Sequence, residues 1–569
     1  MSQETMPGAL AVLKALQEEG VDQLFGYPGG QIIPFFDALY DFPIQLILPR
    51  HEQGAGHMAD GYARSSGKVG VCVATSGPGA TNLVTALATA YTDSVPIVAF
   101  TGQVPRTAIG RDAFQEADTT GITIPVTKHN YLVTEESELV NTVREAFYLA
   151  RSGRPGPVLI DLPSDIQRAL VPYPKRDIEG LDGYRAPALP DSAAIEEAAD
   201  LINQAERPLL YIGGGVIASG AAELVTKLSD TCSIGVVHTL LGKGGFPETR
   251  DLSMGMPGMH GMGYANWALH ECDVMIVVGA RFDDRVTGNP KLFSPGTKVI
   301  HIDVDAAEID KIRHADVAIV ADARTALETL VPLCPPREHT AWEQALLAKK
   351  QEMPLTYEWN KDAMPPQFVL AKLNEIVGQD AIIVTDVGQH QMWSAHYMKI
   401  DRPRHWLSSG GLGTMGYGYP AAIGAQFANP DKLVVDISGD GSIQMNIQEM
   451  ATARHHQLPV KVVILNNCFL GMVRQWQDLF YDKRYSGVEL CSLPDFVKLA
   501  EAYDSVGLET SNPDEVVGII EQALEINDRP VLMNFHVAKE ENVYPMIPAG
   551  KSIHEMMLKE TLSDEPKDA

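Results

Sequence analysis

Ten short apolar runs rich in β-branched residues, spaced along a chain of 569 residues, limit what this sequence can fold into. They read VGVCVAT, PIVAFTG, PVLIDLP, PLLYIGGG, VMIVVGA, KVIHIDV, AIIVTDVG, KLVVDIS, VKVVILNN and PVLMNFHV, with helical stretches between them. Most are apolar throughout rather than alternating, as parallel strands are when helical crossovers bury both faces. The predicted class is α/β. At roughly 150 residues per domain the length calls for several cores. Proline-rich stretches over about 171–192 and 331–367 read as linkers. They divide the chain into domains at 1–175, 190–335 and 360–545, with a C-terminal tail at 546–569. The tail is polar after about residue 550 and is expected to be loosely held.

The first and third domains are expected to be similar. In the first, a strand leads to Gly77-Pro78-Gly79, a helix, and Pro96, 19 positions after Gly77 (77 to 96). In the third, a strand leads to Gly439-Asp440-Gly441, a helix, and Pro459, 20 positions after Gly439 (439 to 459). This is a weak internal repeat, and only the third copy carries an acid at the turn.

The formal net charge of −28 argues against nucleic acid and anionic membrane as partners, since both require basic patches. Six cysteines without a C-x-x-C pair read as reduced and buried, as in a cytoplasmic protein. The first residues lack the basic or Arg/Ser-rich character of a leader. Val69–Thr92 carries no charge over 24 residues, but its Gly-Pro-Gly and Asn suit a strand, turn and helix better than a membrane span.

Asp440 is the residue that asks for a ligand. An acid at the carboxyl end of a parallel strand points into the crevice where such sheets bind ligands, and the helix after it offers N–H groups to an anion. The next run ends at Asn466-Asn467, and Asn466 lies 25 positions after Gly441 (441 to 466). One carboxylate, one amide oxygen and phosphate oxygens suit Mg²⁺. The alternative is that Asp440 caps its helix and Asn467 closes a turn.

The Gly-Asp-Gly…Asn-Asn pattern resembles the signature of thiamine-diphosphate enzymes. Along nearly its whole length the chain resembles the catalytic subunits of the acetohydroxyacid (acetolactate) synthases, through RHEQGAGHMADGYAR, SGPGATNLVT, DAFQE, GMHG, GARFDDRVTG, TDVGQHQMW, GGLGTMGYGYPAAIGA and GMVRQWQ. The resemblance implies decarboxylation of pyruvate on thiamine diphosphate. The hydroxyethyl unit is then condensed with pyruvate or 2-oxobutyrate, giving 2-acetolactate or 2-aceto-2-hydroxybutyrate for branched-chain amino acid biosynthesis. Glu52 is implied as the carboxylate that hydrogen-bonds the aminopyrimidine N1′; as a bare acid before a helix it also reads as an N-cap or salt-bridged residue. Gly29, by a backbone N–H, and Gln115, by its side chain, are implied near the reacting carbonyl.

Implied cofactor contacts on the thiamine side are Val387, Gly388, Gln389, His390, Gly413, Gly439, Gly441, Ser442, Gly471 and Met472. Met415 is implied as an apolar wedge under the bent cofactor, or else as core packing. The metal set is Asp440, Asn467 and the Phe469 carbonyl. The middle domain is implied to bind FAD, structurally because no net oxidation occurs, through Arg154, Gly213, Gly214, Thr239, Leu240, Gly258, Met259, His260, Gly261, Gly279, Arg281, Phe282, Asp283, Asp303, Val304, Asp322 and Ala323. Asp283 and Asp284 also read as a metal pair, or as ion-paired with Arg281 and Arg285. The substrate set is Arg285 for a carboxylate and Trp476 for the alkyl end, with Phe114 and Lys128; the alternative for Trp476 is core packing. Cys468, Phe469 and Arg111 depart from the usual family pattern.

The family also implies a homodimer or tetramer, with the cofactor between the first domain of one subunit and the third of another, and a small regulatory subunit. The alternatives are a pyruvate oxidase, a 2-oxo acid decarboxylase, or a non-catalytic homologue.

Overall fold

In the computed structural model, described for residues 4–174, 180–185, 189–359, 363–490, 492 and 494–559, three six-stranded sheets follow one another along the chain. Every pairing inside them is parallel. All ten apolar runs form strands, and the uncharged segment folds as strand Gly70–Ala74 followed by helices Pro78–Asn82 and Val84–Asp93. Strands such as His129–Leu132 and Val506–Thr510 escape the sequence pattern because they are edge strands with partly exposed side chains.

Counting strands within each sheet by chain order, the first and third sheets share the order 2-1-3-4-6-5. The weak repeat of glycine turns therefore reflects one topology used twice. The middle sheet runs 3-2-1-4-5-6, the order of dinucleotide-binding sheets, whose ligand crevice opens where the order reverses between strands 1 and 4.

The stretch from 331 to 367, expected to be linker, contains the helix Thr340–Glu352. Trp342 and Leu346 are buried against the middle sheet, and this apolar face holds the helix there. The tail differs as well. Met546 and Met557 pair in an antiparallel bridge, and Ile547 N–H donates to the Met259 carbonyl, so the chain is tied down as far as residue 557. Residues 560–569 lie outside the described residues.

One contact sets how the first and third sheets meet. Helix Glu52–Ser66 crosses helix Gly418–Ala428 with backbone against backbone. A Cβ on Gly61 would stand 2.0 Å from the Ala421 carbonyl oxygen, and one on Gly424 would stand 1.9 Å from that of Met58. Hydrogen bonds lock the crossing: Tyr417 donates to Asp60 at 2.7 Å, and Arg64 donates to Asp60 at 2.6 Å and Asp93 at 2.8 Å.

Gly424→Ala forces these helices apart and should cost about 1–3 kcal/mol or more, as overpacking does. A thermal unfolding midpoint equal to that of the parent chain would show that the crossing tolerates a side chain.

Candidate active site

Three adjacent strands of the third sheet, Ile382–Thr385, Val434–Gly439 and Lys461–Asn466, end at one point. Their carboxyl ends carry Gly388 to His390, Asp440 and Asn467. Asp440 is 1% exposed, and burial pushes its carboxyl up to about 7 although the N–H groups of Asn467, Cys468 and Gly441 pull the other way. Its Oδ2 has no protein partner. A buried acceptor left unmade costs free energy, so this oxygen marks where a cation would sit. Asn467 Oδ1 accepts from Phe469 N–H at 3.1 Å and retains a second lone pair. His390 is buried, its Nε2 is also without a partner, and burial holds its imidazole down to about 3, so the ring is neutral.

Gly388 and Gly439 both press on that ring. A Cβ on either would lie 2.8 Å from an imidazole atom. Gly439 N–H donates to Ser442 Oγ at 3.1 Å, and Asn467 Nδ2 donates to Gln389 Oε1 at 3.2 Å beside Gly471. Among the described residues no three His, Cys, Asp or Glu side chains converge, which suits Mg²⁺ completed by phosphate oxygens. The residues present therefore fit Mg²⁺ and a diphosphate. One expectation is corrected. Gly441 is followed by two 3₁₀ turns, Ile443–Met445 and Ile447–Glu449, before the helix Met450–His455. Gln444 donates back to the Asp440 carbonyl and Asn446 to that of Gly416, which holds the segment away from a regular helix. The helix that begins beside Asp440 is instead Gln389–Tyr397.

The loop carrying Gly413 and Met415 is seated by residues the sequence reading missed. Asp386 accepts from the N–H groups of Val387 at 2.7 Å, Gly416 at 2.9 Å and Gly418 at 3.1 Å. Asp93 of the first domain accepts from Gly410 at 3.0 Å and Gly411 at 2.6 Å. Thr89 and Thr414 share a hydrogen bond of 2.7 Å. An acid just past a strand was a readable signal for Asp386. Asp93 had none, since only folding brings it to this loop.

In the middle domain the flavin-assigned residues follow the strands. Gly213 and Gly214 follow strand 1, Thr239 and Leu240 strand 2, and Gly258 to Gly261 strand 3. Gly279 to Asp283 follow strand 4, Asp303 and Val304 end strand 5, and Asp322 and Ala323 follow strand 6. Gly213 meets Gly279 at the reversal point, where a Cβ on Gly213 would lie 2.3 Å from the Gly279 carbonyl oxygen. Burial raises the carboxyls of Asp283, and of Asp303 to about 6. Asp283 caps the helix Asp284–Thr287, and Asp284 is ion-paired with Arg285 at 3.6 Å. Arg154 reaches in from the first domain, donating to Ser94, Asp305 and Glu308.

A cleft of about 1110 Å³ joins these parts. Its walls include Arg154, Thr239, Arg281 and Asp303 together with Gly388, Gly413, Met415, Met472, Arg285 and Trp476. Asp440, Asn467 and His390 are not in its lining. Neither are Glu52, Gly29 and Gln115. They form a second cluster at the strand ends of the first sheet. Gly29 packs on Thr75, the Gln115 backbone on Gly77, and Glu52 Oε1 on Gly79. Asn82 Nδ2 donates to Glu52 Oε2 at 3.0 Å. Phe114 stands 86% exposed beside this cluster. Lys128 departs from its expected substrate role: its ammonium donates to the carbonyls of Leu149 and Ser152 and to Tyr184 Oη, which caps a helix end and uses its three donors.

Asp440→Asn should weaken Mg²⁺-dependent thiamine-diphosphate binding at least tenfold, as loss of a ligand to a cofactor-anchoring metal does; titration calorimetry reads this directly. Burial raises the Asp386 carboxyl to about 6. Its contribution to stability is therefore complete below the unfolded value of about 4 and is lost as pH rises through about 6. The thermal midpoint of the cofactor-free protein, minus that of Asp386→Asn, should shrink across that window.

Comparison with known proteins agrees with this architecture. The family models for the thiamine pyrophosphate enzyme N-terminal TPP binding domain, central domain and C-terminal TPP binding domain match residues 6–122, 195–330 and 386–535. The chain is 48% identical to an acetolactate synthase of Mycobacterium bovis, covering 97% of this chain and 91% of the relative. It is also 48% identical to the acetolactate synthase large subunit of Corynebacterium glutamicum, over 96% of this chain and 90% of that one. A probable acetolactate synthase large subunit of Methanocaldococcus jannaschii is 48% identical over 96% of this chain and 94% of its own length. With the strand-end clusters in three sheets and these matches across the whole length, the chain belongs to the acetolactate synthase large subunits of the thiamine pyrophosphate enzyme family.

Proposed function

We propose that this chain is the catalytic subunit of an acetohydroxyacid synthase. It would decarboxylate pyruvate and join the two-carbon unit to pyruvate or 2-oxobutyrate. The observation that carries this reading is the single cleft lined by Gly388, Gly413 and Met415, by the dinucleotide strand ends, and by Arg285 and Trp476. When bound, thiamine diphosphate supplies the thiazolium that stabilises negative charge on carbon. Asp440, Asn467 and the Phe469 carbonyl would hold Mg²⁺ and, through it, the diphosphate. Met415 would support the ring system, and Glu52, held by Asn82, would exchange a proton with the aminopyrimidine N1′.

Arg285 is the carboxylate receptor in this reading. Its side chain is 63% exposed and its contacts to Asp284 and to the Met259 sulfur are long, 3.6 Å each, so its fork is available for a bidentate contact. Trp476 stacks at a tilt on Phe480, ring centroids 5.3 Å apart, and faces the same cleft. A contact to one additional methylene is worth about 1–3 kcal/mol, so preference for 2-oxobutyrate rather than exclusion of pyruvate is expected. FAD would occupy the middle-domain crevice without a redox role.

Glu52, Gly29 and Gln115 gather at the strand ends of the first sheet, apart from the walls formed by Gly388, Met415, Arg285 and Trp476, which supports a second copy completing each site, in a dimer or tetramer. A small regulatory subunit and a cytoplasmic setting complete the reading; no described helix is long and apolar enough to cross a membrane.

With pyruvate, thiamine diphosphate, Mg²⁺ and FAD, the purified protein should form acetolactate, and adding 2-oxobutyrate should divert product to 2-aceto-2-hydroxybutyrate, both read by NMR. Glu52→Gln should abolish nearly all turnover while remaining folded. Acetaldehyde or acetate as main product would overturn the reading.

A further inference from the structure

The backbone just ahead of Glu52 is held by a side chain of another domain. Glu449 ends the turn Ile447–Glu449 of the third domain and is fully buried. Both its oxygens lie 3.0 Å from Arg50 N, and it accepts from Thr452 Oγ1 at 2.7 Å. The helix is shaped to admit it: a Cβ on Gly54 would stand 2.5 Å from Glu449 Oε1. Burial raises this carboxyl to about 7, against the Thr452 hydroxyl, the N–H groups of Arg50 and His51 and the Arg50 guanidinium, which favour the charged form; Tyr419 is the other titratable group facing it.

We propose that Glu449 is a positioning residue for Glu52. The argument is geometric. Glu52 is the first residue of its helix, and His51 caps it. The direction in which the chain enters that helix decides where the Glu52 side chain starts. Glu449 fixes that entry by taking the Arg50 N–H, which precedes the helix and has no partner within it, and an anion is favoured at a helix start. Asn82 then fixes the far end, at the Glu52 carboxylate. Glu52 is thus gripped at backbone and tip by two different segments. A misplacement of about 1 Å in a catalytic group costs on the order of a hundredfold in rate, so removing one grip should be visible in the chemistry. Asn446, three residues before Glu449, donates to the Gly416 carbonyl next to Met415, so the segment that seats Glu52 also braces the thiamine-side loop.

This inference rests on the reading of Glu52 as the proton-exchanging group, and the test separates the two. Glu449→Gln and Gly54→Ala are compared with Glu52→Gln, with thiamine diphosphate, Mg²⁺ and FAD saturating. In both variants deuterium exchange at C2 of bound thiamine diphosphate and kcat should fall together by about tenfold or more, with KM for pyruvate unchanged. In the cofactor-free protein, amide exchange of the peptide spanning residues 48–54 should quicken. Gly54→Ala leaves the acid in place and displaces it, so the test survives if Glu449→Gln folds poorly. Parental C2 exchange in Gly54→Ala and Glu449→Gln, with Glu52→Gln inactive, would overturn the positioning role alone. Parental C2 exchange in Glu52→Gln would overturn the role of Glu52 and this inference with it.

Discussion

The close crossing of helices Glu52–Ser66 and Gly418–Ala428 is the contact on which the rest depends. Gly61 and Gly424 let each helix touch the other's carbonyl oxygens, and the Asp60, Arg64, Asp93 and Tyr417 bonds secure the approach. That approach brings Asp93 and Thr89 of the first domain onto the Met415 loop. It also brings Glu449 of the third domain onto the start of the Glu52 helix. Two halves that repeat one topology therefore serve different purposes through a shared seam.

The candidate site residues of each sheet collect at the carboxyl ends of the strands, where parallel strands leave N–H groups, turn glycines and acids facing one crevice. In the third sheet that crevice contains a buried carboxylate oxygen with no partner and a neutral imidazole beside it. Both are costly in the protein alone and would be resolved by a cation with its diphosphate. In the middle sheet the same logic favours a dinucleotide, since the strand order reverses where Gly213 meets Gly279. Gly388, Met415 and Met472 of the third domain and the strand ends of the middle sheet line one cleft, together with Arg285 and Trp476.

Not every residue that looked functional belongs to that cleft. Lys128 is consumed in capping a helix end. Glu52, Gly29 and Gln115 stay together but apart from the cleft lining. Conversely, Asp93 and Glu449 carry no local signature beyond an acid in an ordinary setting, and Asp386 only its place just past a strand. Their importance comes from the backbone N–H groups that folding places in front of them. The strands that went unread are mostly short or partly exposed, so they lack the continuous apolar run that marks a strand buried on both faces.

By itself the sequence determined the parallel α/β class, the succession of three domains, the two glycine turns and the acid at the turn of the third domain. Those features depend on side-chain periodicity and on turn chemistry, which are local. Only the tertiary structure decided that the first and third sheets share one strand order, that helix Thr340–Glu352 belongs to the middle domain, and that the tail is pinned through Met546 and Met557. It alone decided which acids serve as acceptors for loops of another domain. Each of these turns on which backbone groups meet across hundreds of residues, and that is settled by packing rather than by any local run.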